Sequence, residues 1–545
     1  MNSPIDLPRF LSKSTASEYW KFDAVVIGSG VAGLMCAMKL APHMRVALIT
    51  KERLVDSNSF YAQGGLSAVV HNDDSIDLWK KDTLGAGAGL CRLSAVETVS
   101  SQMLAIVTEL TEMGVPFDVD SDGNLQLGRE AFHSVRRILH AGGDQTGSYI
   151  SQVMSEQIES NTRVSVFQES FVIDILPDAN GEVAGLSAVV DDMDVIFVTP
   201  HVVLSTGGCG QAYSHTSNPR VATGDGIAMA LRAGASLVDM EFIQYHPTVC
   251  FAEPSKPFLV TEAIRGEGAK LYNDKGERFM SRYSEMMELA PRDIVSKACF
   301  DEIQKQEKEW VLLDTTIFDK TYLKTHFPTV YSQCISAGFN PSEQPIPVSP
   351  GAHYTIGGIE ADTKCQTSLP GLFVAGEAGS TGMHGANRLA SNSLPEALAT
   401  GVSSAKIVMD SNRPMRYPDR PAVNKTKDVL ITRSELRKRN WSDIGVVREQ
   451  TDMNKHLDML RKSVRYPLPT SILGAMELAN LFTVSTAITM SAIVRKESRG
   501  VHNRLDYPNS YDRWSNKRVH INSKPSDDRT EIKTGTHKGD EYSWT

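Results

Sequence analysis

The segment His384–Leu394, HGANRLASNSL, combines a histidine and an arginine with several serine and asparagine side chains and almost no bulky apolar residue. Such a segment has little apolar surface to bury by itself, so its polar groups are candidates for binding. A guanidinium group can hold a carboxylate through two parallel hydrogen bonds. Arg388 is therefore a candidate for binding an anionic group, and capping of backbone carbonyls is the alternative that its residue type leaves open.

Three glycines near the N-terminus, Gly28, Gly30 and Gly33, follow an apolar run at G-x-G-x-x-G spacing. The flanking sequence predicts a strand, a helix and a second strand, at Phe22–Ile27, Val31–Leu40 and Arg45–Thr50. In such a unit the first glycine permits the turn, the second lets the backbone approach a pyrophosphate, and the third lets helix and strand pack closely. The helix N-terminus then faces the phosphates. This context favours a dinucleotide-binding site over a chance glycine turn.

The residues after the second strand bear on which dinucleotide would bind. An NAD site has an acid there, to accept hydrogen bonds from ribose hydroxyls, but this strand leads into Lys51, which has donors only. Taken alone, Lys51 would fit the 2′-phosphate of NADP. The polar loop Asn58–Val70, in which Gly64 and Gly65 allow a second close backbone approach, instead suits a larger flavin cofactor. These residues alone leave a flavin site and an ordinary surface loop equally open.

The bulk composition is that of a globular protein with several cores. The chain has 545 residues, 41% hydrophobic and 22% charged, and a formal net charge of -9 without a dense basic stretch, which disfavours a nucleic-acid partner. Its 7 cysteines are scattered without a C-x-x-C pair, so we expect no disulfide framework and no bound metal. We find no secretory signal and no run near the ~18 apolar residues of a membrane span, and we expect a cytoplasmic protein.

Further along the chain, His201–Gly210 and Gly371–Gly379 resemble buried strands that lead into glycine turns. Both fit a Rossmann-type domain that is interrupted and later resumed. The intervening Glu241–Pro350 has mixed periodicity and no strong strand rhythm, and it could form an inserted domain. The sequence from Val429 to Lys496 predicts several packed helices, whereas the polar sequence from Asn509 onward predicts a poorly ordered tail.

Eight segments occur in the order found in the succinate dehydrogenase/fumarate reductase flavoprotein family, which the chain resembles over about Phe22–Pro508: GSGVAGL, SFYAQGGLSAVV, TGDGIAMA, QYHPT, TEAIRGEGA, APRDIV, AHYTIGGI and HGANRLASNSL. Two more, GREAFHSVRRILHAGGDQTG and RKESRGVH, resemble the branch that oxidises L-aspartate. The resemblance implies an α/β fold: a Rossmann-type FAD-binding domain with an inserted α+β capping domain and a C-terminal helical bundle. We expect these domains at 1–239 with 355–424, at 240–354, and at 425–545 including the polar tail.

The resemblance also implies the reaction. We expect FAD-dependent oxidation of L-aspartate to iminoaspartate by hydride transfer to flavin N5, with O2 or fumarate reoxidising the flavin, as the first step of de novo NAD biosynthesis through quinolinate. The implied catalytic residues are Arg292, His246, His353, Arg388 and Glu130, and the implied substrate-binding residues are Glu130, His246, Thr261, His353 and Arg388. With fumarate, Arg292 would protonate the substrate, and Arg265 and Glu267 are candidate relay residues.

Glu130 is expected to select L-aspartate over succinate, because a carboxylate near the substrate's α-ammonium would attract it. The alternative is a salt bridge to one of the neighbouring arginines, Arg129, Arg136 or Arg137. The next two residues, Ala131 and Phe132, stand where the L-aspartate-oxidising branch usually has two glycines, which puts the geometry of this loop in question.

By the same resemblance the FAD contacts fall on Gly28, Ser29, Gly30, Val31, Ala32, Gly33, Lys51, Asn58, Ser59, Phe60, Tyr61, Ala62, Gln63, Gly64, Gly65, Asp225, Glu377, Ser393 and Leu394. Asn58 stands where the respiratory relatives carry the histidine that bonds covalently to flavin. An amide is not a nucleophile for that attachment, so we expect noncovalent FAD. Glu377 would accept hydrogen bonds from ribityl hydroxyls.

Two other functions stay open. A soluble fumarate reductase or succinate dehydrogenase flavoprotein subunit would share the flavin and the arginines, and Asn58 and Glu130 argue against it. A non-catalytic FAD-binding scaffold could dock through the basic run Arg433, Arg437, Lys438 and Arg439, although such a run is usually a solvated helix face. The expected partners are L-aspartate, with O2 or fumarate as acceptor, and functional coupling to quinolinate synthase stays open.

Overall fold

A five-stranded parallel sheet lies at the centre of this computed structural model, which describes residues 5–8, 11, 18–251, 256–419, 428–429, 431–465, 473–525 and 529–538. The strand order is Leu372–Val374, Val202–Leu204, Ala24–Ile27, Val46–Ile49 and Val164–Phe167. The strand Ala24–Ile27 is buried on both faces, as the continuous apolar runs of parallel strands require. The predicted strand-helix-strand unit is confirmed, and the strands before both later glycine turns join the same sheet.

The α-helices, in chain order, are α1 (Val31–Leu40), α2 (Ile76–Ala86), α3 (Leu93–Glu112), α4 (Thr146–Glu159), α5 (Asp225–Ala233), α6 (Ala263–Gly266), α7 (Arg292–Ile303), α8 (Lys320–His326), α9 (Pro328–Ser336), α10 (Ser393–Met409), α11 (Arg433–Ile444), α12 (Gln450–Lys462) and α13 (Leu473–Val494). Helix α1 covers the residues that the sequence predicts. It packs against α10, so the glycine motif and the end of the segment His384–Leu394 come together.

Smaller sheets surround the central one. One has the order Glu18–Lys21, Met193–Val198, Val183–Val190 and Phe171–Pro177, and another has the order Leu66–Ser67, Ile138–Leu139 and Leu127–Gly128. Two strand pairs join Asp428–Val429 to Val464–Arg465 and Val447–Arg448 to Asn503–Arg504.

The inserted region is built on a sheet of its own, with the order Phe258–Leu259, Ile243–Cys250, Ile346–Thr355, Val311–Asp314 and Lys270–Tyr272. The sequence between Glu241 and Pro350 shows no strong strand rhythm, yet it supplies most of the strands of this sheet. All eight residues of Ile243–Cys250 are buried, so the strand lacks the alternation of apolar and polar residues that marks a half-exposed strand. Helices α7, α8 and α9 complete this region, which agrees with the predicted α+β capping domain.

The C-terminal region contains the predicted helices, α11 to α13, but its last part is not an irregular tail. Lys517–Pro525 and Arg529–Lys538 form an antiparallel hairpin, and its strands also pair with Leu237–Val238 and Ile5–Pro8. Val519 and Ile521 are fully buried, which anchors the hairpin. The expectation of a poorly ordered tail is therefore wrong for residues 509–525 and for the strand Arg529–Lys538. Residues 526–528 and 539–545, and the predicted domain boundary at 424/425, lie outside the described residues.

Helix α13 corrects the expectation that no run of the chain approaches the length of a membrane span. Its 22 residues, with mean hydropathy 1.4 over the most apolar window, are long and apolar enough to cross a membrane. In the structure 72% of that window is buried inside the protein, where the helix packs against α5 and α12. Four of its hydroxyls, on Thr483, Ser485, Thr486 and Thr489, donate to carbonyls one turn earlier, which satisfies these polar groups within the core. This is the behaviour of a core helix.

Candidate active site

A cavity of 1780 Å³ lies between the central sheet, the capping domain and α11. Sites for one drug-sized ligand occupy about 300–1,000 Å³, so this cavity has room for a dinucleotide and a substrate together. All the predicted catalytic, substrate-binding and cofactor-binding residues line it except Val31, Gly33 and Glu130. The first two belong to the opening turn of α1, directly behind the wall.

The glycine motif has the geometry that a bound pyrophosphate requires. Gly28 has φ 106°, and a Cβ there would lie 2.3 Å from the carbonyl oxygen of Ser205. A Cβ on Gly33 would lie 1.9 Å from the carbonyl oxygen of Gly28. Only glycine fits either position. Gly30 precedes α1 and brings no side chain to the amides of the first turn, which leaves that helix end suited to an anionic group.

Polar groups along the wall also fit FAD. Asn58 Oδ1 and Gln63 Oε1 are buried and lack a hydrogen-bond partner among the described residues, which is costly unless a ligand supplies donors. Asn58 Nδ2 donates to Glu377 Oε2 over 3.2 Å, and the Thr355 amide donates to Glu377 Oε1 over 2.9 Å. Burial raises the pKa of Glu377 to about 7, so this carboxyl can meet ligand hydroxyls as acceptor or donor. With an amide at position 58, the fit is to noncovalent FAD.

The side chain of Lys51 offers no free cation to the cavity. Its ammonium group donates to Thr223 Oγ1 over 2.7 Å, to Asp225 Oδ2 over 2.8 Å and to Glu477 Oε1 over 2.7 Å. A lysine has three donors, so none remains for a 2′-phosphate. The geometry therefore gives no support to the NADP alternative that Lys51 raised in the sequence.

Arg388 lines the cavity, and its guanidinium group forms no ion pair with a described residue. Its guanidinium carbon lies 4.4 Å from the ring centre of Tyr354, and its buried Nε has no partner among the described residues. Burial, and then repulsion from Arg292, lowers the pKa of Arg388 to about 10, which still leaves a cation at neutral pH. A desolvated cation of this kind favours an anionic ligand. Within the described ranges no backbone carbonyl accepts from this guanidinium group, so the capping alternative has no support.

His246 and His353 lie side by side because they occupy neighbouring antiparallel strands, Ile243–Cys250 and Ile346–Thr355. Their ring centres are 5.1 Å apart. His353 Nδ1 lies 2.8 Å from Ser217 Oγ, whereas His246 Nε2 is buried without a partner among the described residues. Burial, and then the charge of Arg292, lowers the pKa of both histidines well below the usual value. Both rings are therefore neutral, with one donor and one acceptor nitrogen each.

Arg292 begins α7 and is held by two side chains. Its Nε donates to Glu262 Oε2, and its Nη1 donates to Gln244 Oε1 over 3.2 Å. Glu262 also lies 3.3 Å from Arg265 Nη2, so one carboxylate joins two arginines. Burial would raise the pKa of Glu262, but Arg292 and Arg265 outweigh it and lower the value. The neighbour of Arg292 in the chain, Asp293, instead accepts a hydrogen bond from Asn387 Nδ2 over 3.0 Å.

The carboxylate that contacts both Arg292 and Arg265 is Glu262, a residue that the sequence interpretation did not name. The predicted candidate, Glu267, is exposed and meets the hydroxyl of Tyr322 over 3.2 Å. Both acids belong to the segment TEAIRGEG, and a signal was present: Glu262 stands three residues before Arg265, a spacing that brings side chains together on a helical turn. Thr261, predicted to bind substrate, lies at the cavity wall beside it.

Glu130 lies immediately behind the wall. Ser391 Oγ donates to its Oε2 over 2.6 Å, and its Oε1 has no partner among the described residues. Gly64 is what leaves the carboxylate near the cavity, since a Cβ there would lie 2.8 Å from Oε1. Burial, and then repulsion from Glu262, raises the pKa of Glu130 to about 7. The neighbouring arginines are engaged elsewhere, with two aspartates or backbone carbonyls: Arg137, Arg129 and Arg136.

The departure at Phe132 keeps a glycine-like backbone without a glycine. Its φ of 67° is in the left-handed region, which is strained for a bulky residue. Its ring packs against α2, where a Cβ on Gly85 would lie 3.0 Å from the ring. Two residues later, the amide and hydroxyl of Ser134 both donate to Asp82 of the same helix. These contacts fix the loop that carries Glu130.

Comparison with known proteins agrees with this geometry. Residues 23–394 match the FAD binding domain family, and residues 433–539 match the fumarate reductase flavoprotein C-terminal family. The chain is 40% identical over 510 residues to the L-aspartate oxidase of Acinetobacter baylyi, covering 89% of this chain and 94% of that protein. It is 39% identical over 511 residues to L-aspartate oxidase 1 of Ralstonia nicotianae, covering 89% and 96%. The chain belongs to the L-aspartate oxidase family.

The architecture of this chain also occurs in a solved fumarate reductase. A solved quinol fumarate reductase chain of E. coli matches with a TM-score of 0.85 and 31% identity, over 95% of this chain and 97% of that chain. The three-part fold expected from the sequence is confirmed, and the protein is an FAD-dependent oxidoreductase. The fumarate reductase alternative is the weaker one, because the higher sequence identity is to L-aspartate oxidases.

Proposed function

We propose that this protein oxidises L-aspartate to iminoaspartate with FAD as cofactor and O2 or fumarate as electron acceptor. The supporting observation is a cavity with two guanidinium groups, on Arg388 and Arg292, and the carboxyl group of Glu130 close enough to feel both charges. Cations for carboxylates and an anion for an ammonium group together describe an amino dicarboxylate. Succinate would leave the charge of Glu130 unmatched, which is the basis for discrimination.

The residues of the wall divide the work of binding. Arg388 holds one substrate carboxylate through two hydrogen bonds, and the neutral His246 and His353 with the hydroxyl of Thr261 hold the other. The substrate nitrogen must lose its ammonium proton, because only its lone pair stabilises the iminium that forms. Glu130, with its pKa raised to about 7, is suited to take that proton near neutral pH. Bound FAD supplies the two-electron chemistry between substrate and acceptor.

Reduction of fumarate needs a proton donor, and Arg292 is the group placed to give one. A free arginine is a poor acid because its pKa exceeds about 12. Here Arg292 is bonded to Glu262, which also approaches Arg265. Glu262 can take a proton from Arg265 and return one to Arg292, so the deprotonated guanidine need not persist. Burial lowers the pKa of Arg265, which favours this direction of transfer.

Replacement of Glu130 by glutamine is expected to lower kcat/KM for L-aspartate about tenfold above pH 8, which corresponds to about 1.4 kcal/mol. The wild-type advantage should fade as the pH falls through about 7, because protonation neutralises the carboxylate that the variant lacks. Steady-state rates between pH 5.5 and 9, with L-aspartate and separately with fumarate, measure this. Fumarate reduction should change less than threefold, and equal losses with both substrates would remove Glu130 from substrate selection.

Anaerobic titration tests the proposed function itself. L-aspartate should bleach the flavin absorption, and fumarate should restore it. Bleaching by succinate but not by L-aspartate would identify a succinate dehydrogenase or fumarate reductase flavoprotein instead. A non-catalytic FAD scaffold would bleach with neither and would release no peroxide when mixed with L-aspartate in air.

The product places the protein at the start of quinolinate formation and hence of de novo NAD synthesis. Iminoaspartate hydrolyses in water, which favours functional coupling to quinolinate synthase, the enzyme that consumes it. A cytoplasmic location agrees with the free state of all seven cysteines, Cys36, Cys91, Cys209, Cys250, Cys299, Cys334 and Cys365.

A further inference from the structure

The C-terminal region reaches the cofactor cavity through a cluster of polar side chains. Lys51, after the strand Val46–Ile49, and Asp225, at the start of α5, both line the cavity and form an ion pair of 2.8 Å. Glu477 of α13 completes the cluster, with Oε1 2.7 Å from Lys51 Nζ. The side chains are only 14%, 11% and 13% exposed for Lys51, Asp225 and Glu477, so water replaces few of these contacts.

Both oxygens of Glu477 are used, and both face residues of the cavity wall. Oε1 binds Lys51, and Oε2 binds Arg433 Nη1 of α11 over 2.8 Å. Arg433 also lines the cavity. One carboxylate of the C-terminal region therefore binds two cations that both line the cavity.

Asn480, one helical turn further along α13, holds the acid of the cluster. Its Nδ2 donates to Asp225 Oδ1 over 2.8 Å, while Asp225 Oδ2 accepts from Lys51 and Thr223. Burial disfavours the Lys51 ammonium, but Asp225 and Glu477 outweigh it and raise the pKa of Lys51. The ammonium charge is thus fixed at the wall by groups from two parts of the chain.

The docking of α13 does not require these polar contacts. Gly224, directly before α5, packs on the buried Val484, where a Cβ on the glycine would lie 2.9 Å from Val484 Cγ1. Leu481 and Ile488 extend this fully buried contact surface, so apolar packing carries the attachment of the helix. The polar cluster sits at the cavity end, where its consequence is the placement of Lys51 and Asp225.

We infer that Glu477 and Asn480 are positioning residues for FAD: they hold Lys51 and Asp225 at the cavity wall, so that cofactor retention depends on the C-terminal helices. Removal of Glu477 would leave Lys51 and Arg433 as partly buried cations with one fewer anion between them, and both would move toward other partners. The cavity wall would then lose its shape at Lys51 and Asp225. This inference rests on FAD as the cofactor and not on the identity of the substrate.

The experiment measures FAD binding directly, by titrating apoprotein with FAD and following the quenching of flavin fluorescence. Glu477→Gln should raise the Kd for FAD about ten- to hundredfold, which is the effect of losing one charged hydrogen bond at a buried site. Glu435→Gln is the matched control, an exposed glutamate on α11 whose only described bond is through its backbone amide. The control should bind FAD within twofold of the wild type.

Two further variants separate positioning from general destabilisation. Glu477→Asp should recover part of the affinity, because it restores the charge with a shorter side chain. In a Lys51→Met background, Glu477→Gln should add little further loss, since its effect runs through Lys51. At saturating FAD, the KM for L-aspartate of Glu477→Gln should stay within twofold of the wild type. An unchanged Kd for FAD would overturn the inference, and so would a loss of FAD affinity that is fully additive with that of Lys51→Met. Either outcome counts whichever substrate the enzyme proves to use.

Discussion

Replacement of Arg292 by glutamine is expected to lower the rate of fumarate reduction by about 10²–10⁴-fold, the range that a positioned general acid contributes. The variant keeps a hydrogen-bonding side chain, but it has no proton to give and no charge to hold the substrate. Oxidation of L-aspartate does not need this proton, so it should fall less, by about tenfold, through the lost cation. Single-turnover reoxidation of the pre-reduced enzyme by fumarate, followed by flavin absorption, isolates the step.

Glu262→Gln is the companion variant. It keeps the shape of the side chain that meets Arg292 and Arg265 and removes only the ability to carry a proton between them. Fumarate reduction should fall again while L-aspartate oxidation is largely kept. Lys297→Gln, on an exposed part of α7, should change neither rate. Full fumarate reduction in Glu262→Gln would exclude the proposed relay.

The parts of this molecule that could be predicted from sequence are those whose structure depends on residues close together in the chain. The glycine motif and its flanking strands can be recognised within about thirty residues. The turn, the close helix packing and the buried parallel strand each need particular residue types at fixed spacing. The helices α11 to α13 follow from the same local periodicity. Family resemblance then supplied Arg292 and Arg388, whose surroundings the residue types alone left ambiguous.

The parts that escaped prediction depend on distant partners. The sequence of the hairpin Lys517–Pro525 and Arg529–Lys538 is polar and predicts a tail. In the structure, its first strand pairs with Leu237–Val238, which buries part of the hairpin. The strand Ile243–Cys250 is buried along its whole length, so it shows no alternation to detect.

Charge networks escaped for the same reason. From its sequence neighbours alone, Lys51 is a candidate for binding a phosphate. Its partner Glu477 lies 426 residues later, so the local sequence gives no sign that the charge is neutralised. Glu130 could be assigned a role from resemblance, but not its depth behind Gly64 and Ser391. Family resemblance thus predicted which residues line the cavity, and only the folded structure distinguishes a cation without a described partner, Arg388, from one that is already neutralised, Lys51.

Replacement of Arg388 by lysine is expected to lower kcat/KM about 10²-fold or more for both L-aspartate and fumarate, which corresponds to about 2.7 kcal/mol. The guanidinium group lies over the Tyr354 ring, and its buried Nε has no hydrogen-bond partner among the described residues. A substrate carboxylate can therefore accept two hydrogen bonds in the plane of the guanidinium group. A lysine keeps the charge but offers a compact ammonium without the planar fork or the stacking. Because both substrates are dicarboxylates, the loss should appear mainly in KM and affect them alike.

Arg416→Lys is the matched control. The half-exposed Arg416 forms ion pairs with the buried Asp178 and the partly exposed Glu182 and does not line the cavity, so the exchange should leave both reactions unchanged. Comparing the two variants distinguishes an arginine that binds substrate from one that only forms ion pairs outside the cavity. A loss confined to L-aspartate would mean that Arg388 senses the amino group rather than a carboxylate. Retention of the wild-type KM for both substrates would show that lysine's point charge suffices, and the carboxylate clamp would then have to lie with Arg292 and the two histidines.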